Sequence, residues 1–215
     1  MPEPAETTPQ AAETPSDQEG TQNAGLRFSA VATGQKFEIP ILALQNLNVF
    51  PETVVPLGVG RPRSVAAVEA ALATPEKLLG CITVRPDRSD DTDAKSSDLY
   101  DVGTLVTVKR MERLPDAMRI LVQGTERIRI VEWKQEDPQL RAVVEILPEP
   151  RTVDEDQVEA AKRNVQEMIQ QALALLPNIP AEVRIAVLSS VDPVRLAYFL
   201  GSILNLGVEE EQKML

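Results

Sequence analysis

The chain contains no histidine. That absence removes Ser-His-Asp and Cys-His catalysis and any His-ligated zinc site. A single cysteine, Cys81, excludes an internal disulfide and a multi-thiolate metal centre. It sits within the apolar run 78–84, so it reads as a small buried hydrophobe, and the thiol usage suits a reducing compartment. Aromatic residues make up only 3% of the chain, which leaves the core to Val, Leu, Ile and Ala. Basic residues are scarce relative to acidic ones, 22 against 33, for a net charge of -11. Phosphate-backbone binding rests on Lys and Arg displacing counterions, so neither nucleic acid nor an anionic membrane surface is an expected partner. No signal peptide is expected, because no apolar stretch precedes the first basic residue, Arg27. No apolar run approaches the roughly 20 residues that span a bilayer. The expected location is cytoplasmic.

Catalytic and ligand motifs are sparse too. No glycine is followed by lysine, so the phosphate-binding loop with its Gly-Lys-Ser/Thr end is missing. Gly58-Val59-Gly60 reads instead as a tight strand exit before Arg61-Pro62-Arg63. Residues 87–98, DRSDDTDAKSSD, place Asp or Ser at several calcium-loop positions, yet Thr92 stands where glycine is required and Lys95 at a ligand position. A solvated insertion is the better reading, and no cofactor or metal is predicted. Ser-Lys pairs built from Lys95-Ser96 or Ser189-Ser190 lack a nucleophile context. The chain is therefore not expected to be an enzyme.

With 43% hydrophobic residues, 215 positions suffice for a domain with a proper core. Residues 1–25 carry five acidic residues, four prolines and no basic residue, too little apolar surface to offset ordering entropy. A disordered acidic tail is expected over 1–36. From 37 to 150 the signals are mostly β. Val55, Leu57 and Val59 alternate with other neighbours, residues 78–84 suit a central strand, and Leu114-Pro115-Asp116 marks a hairpin turn. Arg127, Ile128, Arg129 and Ile130 put two guanidiniums on one face and two isoleucines in the core. One short helix is expected, with Val65, Val68 and Leu72 at helical spacing, Ser64 as N-cap and Pro75 as its stop.

After Pro150 the period lengthens. Val158, Ala161, Val165, Met168, Ala172 and Leu175 predict a long amphipathic helix over 153–176. Pro180 opens a second helix, and Asp192-Pro193 an N-capped third that Gly207 closes. A charged helical stretch then begins at Val208 and stops with the chain, as expected of a truncated helical lobe over 151–215.

Several segments in order resemble the N-terminal substrate-recognition domain of ATP-dependent Lon proteases. They are residues 37–63, FEIPILALQNLNVFPETVVPLGVGRPR; residues 98–104, DLYDVGT; residues 124–130, GTERIRI; residues 179–182, IPAE; and residues 191–197, VDPVRLA. The resemblance implies an α+β fold, a β-rich pseudo-barrel lobe followed by a helical bundle lobe. It implies a non-catalytic module that binds unfolded or damaged proteins and helps self-association in a parent hexamer. The ATPase and Ser-Lys protease modules of such proteins lie C-terminal to this region. A stand-alone Lon-domain binding module is the alternative, and a hydrolase would need catalytic residues that are not visible.

Clients with exposed apolar groups need apolar surface to bind them. Turn-located Phe50, Met111, Leu114 and Met118 are the predicted contacts, and methionine suits varied partners. Arg61 and Arg63 are predicted assembly contacts.

Overall fold

Alternation of apolar and polar residues gives this chain its strands, and strands dominate the fold. The computed structural model describes residues 33–88, 93–149, 192–204 and 206–215, with helical positions 157–160, 163, 164 and 167. The six strands are β1 (Lys36–Leu44), β2 (Val54–Val59), β3 (Leu78–Thr83), β4 (Val102–Arg113), β5 (Met118–Gln135) and β6 (Leu140–Ile146). Helix α1 (Pro62–Leu72) lies between β2 and β3, while α2 (Pro193–Leu204) and α3 (Val208–Met214) end the chain.

The strands run in the order β2-β5-β4-β3-β1-β6, and β5 pairs with β6 as well. That last pairing closes β5, β4, β3, β1 and β6 into a barrel, with β2 added along the first half of β5. β5 can serve both halves because it is 18 residues long and interrupted by bulges. Its register against β6 shifts between Ile130 and Glu132 and again between Trp133 and Gln135. Each extra residue bends the strand and increases its twist.

Two apolar clusters fill the two halves. Leu42, Leu57, Val59, Val106, Met118 and Val122 pack with Ala67, Val68 and Ala71 of α1. Ile39, Ile41, Ile82, Ile128, Leu140 and Val144 fill the other half. As the composition requires, aliphatic side chains dominate both. Cys81 packs among them, only 3% exposed.

The fold is β-rich with few helices. A separate helical bundle lobe is not found among the described residues; α2 and α3 instead close over one end of the barrel. The tail expected over 1–36 falls almost wholly outside those residues, as does most of the helix expected over 153–176 and the one after Pro180.

Helix termini follow local chemistry. The Asp192 carboxylate accepts the Val194 N–H at 2.8 Å, and Pro193 takes the first helical position, as Asp192-Pro193 predicts. α1 departs from expectation. It starts at Pro62 with Arg61 at the N-cap, before Ser64, because proline's fixed φ favours the first turn.

Candidate functional site

The loop from β1 to β2 carries Asn48, Val49, Phe50 and Pro51, all buried. Phe50 is 1% exposed and stacks on Tyr198 of α2 with ring centroids 5.7 Å apart. Leu215, Val102, Val194 and Met214 complete its pocket. Gly124 on β5 makes this approach possible, since a Cβ there would run into the Phe50 carbonyl.

Polar groups fix the same joint. Asn48 donates through Nδ2 to the Val208 carbonyl at 3.0 Å and accepts the Thr83 hydroxyl at 2.6 Å. Thr104 donates to the Val49 carbonyl at 2.5 Å, and Gln212 to the Val102 carbonyl at 3.0 Å. Arg127 reaches the Leu215 carbonyl through Nη1 and the Pro148 carbonyl through Nη2, each at 2.5 Å.

Charge gathers in a cleft of about 50 Å3 beside this joint, where Glu52, Glu126, Glu149 and Asp192 meet Arg127 and Arg195. Arg195 bonds Glu52 at 2.6 Å. Glu126 is left in a carboxylate-rich corner. Partial burial, then the charges of Glu149 and Glu52, raise its pKa above the usual carboxylate value.

Of the six predicted contact residues, two remain accessible as apolar contacts. Met111 is 40% and Leu114 37% exposed, at the tip of the β4–β5 hairpin. There the Leu114 N–H donates to the Ala117 carbonyl at 2.9 Å. Arg113 pairs with Glu69 of α1 and so ties the hairpin to that helix. Phe50 and Met118 are corrections to the expected accessibility. Met118, 2% exposed, pairs with Val59 on one side and Arg113 on the other, which turns it into the core beneath α1.

The arginines divide as well. Arg63 is held inside the chain, by Asp137 at 2.7 Å and the Ala94 carbonyl at 2.9 Å. Arg61 lines an open groove of about 430 Å3 between β1 and β2, walled by Leu42, Leu44, Leu57 and Val59.

Burial pushes the Cys81 thiol up to about 12, so it holds its proton at neutral pH. Among the described residues no three His, Cys, Asp or Glu side chains converge to hold a metal, and no helix is long and apolar enough to cross a membrane.

Residues 38–215 match the family model described as the ATP-dependent protease La (LON) substrate-binding domain. The chain belongs to this family. It is 35% identical over 180 residues to a Lon protease of Dictyoglomus thermophilum, covering 82% of this chain and 22% of that protein. It is also 35% identical over 209 residues to the Lon protease of Desulfovibrio desulfuricans, covering 96% of this chain and 23% of that one. The chain thus spans about a fifth of these relatives. A solved N-terminal domain of Mycobacterium avium complex Lon protease aligns over 76% of this chain and 96% of its own, at 18% identity and a TM-score of 0.48.

Asn48, Thr83, Thr104 and Tyr198 were not legible as a site in the sequence. Their partners lie too far along the chain for any spacing rule. The only signal was polar residues interrupting apolar runs, which is weak by itself.

Proposed function

We propose that this chain is the substrate-recognition and assembly module of a Lon-type protease, non-catalytic itself, which binds unfolded or damaged proteins. The observation that carries the reading is the family match over 38–215. The length of the relatives favours a module of a larger protease over a stand-alone binding protein. Self-association in a parent hexamer and a cytoplasmic setting belong to the same proposal, as does a tail to 36 ahead of a β lobe to 150.

Met111 and Leu114 are the proposed client contacts. They are apolar and exposed, and they are displayed at the tip of the β4–β5 hairpin. Arg61, which has no ion pair among the described residues, is the better candidate for assembly than Arg63, whose guanidinium is occupied within the chain.

Fluorescence anisotropy with labelled unfolded casein tests the reading. Replacing Met111 and Leu114 with serine should weaken capture at least severalfold and leave the melting temperature nearly unchanged. Unchanged affinity would remove the hairpin as the contact. Failure of the unaltered chain to bind casein at all would reject the recognition role.

A further inference from the structure

The barrel has an open seam. β6 pairs with β1 only as far as Ile41, opposite Leu140, so beyond that point β1 is held on one side, by β3. β2 pairs on one side only, with β5. Leu42–Leu44 of β1 and Pro56–Val59 of β2 therefore face each other as two strand edges, and both line the 430 Å3 groove.

Register shows where the spare backbone groups point. The Gly124 N–H donates to the Thr53 carbonyl at 2.9 Å, so odd-numbered residues of β2 exchange bonds with β5. Val54, Pro56 and Gly58 then turn their peptide groups to the seam, since bonding sides alternate along a strand. The Leu44 carbonyl accepts from Val84 at 2.8 Å on the β3 side, which by the same alternation turns Ala43 to the seam. Pro56 has no N–H to lose there, and edge strands are where proline is tolerated.

We infer that this seam takes one extended segment of a client polypeptide, inserted as a strand between β1 and β2. The inference rests on the recognition role proposed above and names how a client is held. Chain logic supports it: β1 and β2 run antiparallel, so the guest lies parallel to one wall and antiparallel to the other. Leu42–Leu44 and Pro56–Val59 are the free edges, so the guest engages by backbone pairing over that length. Inward guest side chains meet Leu42, Leu44, Leu57 and Val59, which selects alternating apolar residues. Arg61 lines the same groove and has no ion pair among the described residues, so it favours a carboxylate near one end of the guest. Two facing edges also admit one strand and no second, which limits edge-to-edge aggregation.

The probe is a fluorescein-labelled heptapeptide alternating valine and threonine and ending in aspartate. It should bind the full chain, and methylating its alternate amide nitrogens should weaken binding at least tenfold. Gly58→Pro, which removes a seam-facing N–H, should do the same. Should Gly58→Pro fail to fold, Arg61→Glu decides: it should reverse preference towards a lysine-ended peptide. Equal binding of methylated and plain peptide, or no change with either variant, overturns the seam. Peptide binding that appears only at high salt makes the chain's own acidic tail the occupant, which also overturns it. Casein capture without peptide binding leaves recognition standing and removes the seam alone; loss of both removes both.

Discussion

Phe50 and Tyr198 stack at 5.7 Å with their planes 25° apart, and this contact joins the first loop of the barrel to a helix near the end of the chain. Around it, Asn48 and Val208 are linked across 160 residues by one hydrogen bond. The C-terminal helices are thus fastened to the barrel by an aromatic pair inside a ring of polar bonds.

Phe50→Ala should be the most destabilising single change at this joint. Truncating a buried phenylalanine costs about 3–5 kcal/mol, and here the cavity opens against Tyr198, Val102 and Leu215 together. Chemical denaturation measures it. A loss below ~1 kcal/mol would show that the loop repacks freely.

Asn48→Ala removes the side-chain bonds to the Val208 carbonyl and to the buried Glu211 carboxylate, and leaves the Thr83 hydroxyl only the Leu47 carbonyl as acceptor. Unpaired buried polar groups cost about 1–3 kcal/mol. Hydrogen exchange should show α3 opening earlier than β1 in this variant. Uniform acceleration across both elements would contradict a local role.

Glu126 makes neutral pH slightly unfavourable. Its folded pKa is raised, so the folded state holds the proton more tightly than the unfolded chain does. Stability is therefore fullest below the ordinary carboxylate range and declines as pH rises through the raised value. Glu126→Gln should raise the melting temperature at neutral pH and change little in acid. Arg127 and Arg195 face the same cleft, so a fall in melting temperature would mean that their attraction dominates.

The purified chain should neither hydrolyse ATP nor degrade casein. The phosphate loop is missing from the sequence, and the cysteine thiol is buried and protonated. Turnover that co-purifies with the chain and resists inhibitors of contaminating proteases would overturn the non-catalytic reading.

The strands were readable because apolar alternation is a local signal. Leu57 and Val59 point inward as their spacing implies, and Leu114-Pro115-Asp116 does turn the chain. Asp192-Pro193 announced α2 for the same reason. Burial of Phe50 was not readable. A turn position suggests exposure, and what covers this ring arrives from Tyr198 and Leu215. Met118 stands beside the turn, yet it pairs with strands on both sides, and turn proximity carries no information about that. Barrel closure depends on the bulges in β5, whose residues look like ordinary strand formers.

The ordering of β1 has a consequence for synthesis on the ribosome. Its two partners arrive at very different times: β3 soon after it, β6 far later, with Glu38 and Arg141 paired across 103 residues. Until β6 has emerged, residues 36–41 remain an open edge on the nascent chain, and Asn48 waits longer still for α3. Pairings of such sequence separation are slow to form and leave an aggregation-prone edge meanwhile. Glu38 and Pro40 lie on that waiting strand, a charge and an imino acid where an uninterrupted apolar run would invite a neighbouring nascent chain to pair.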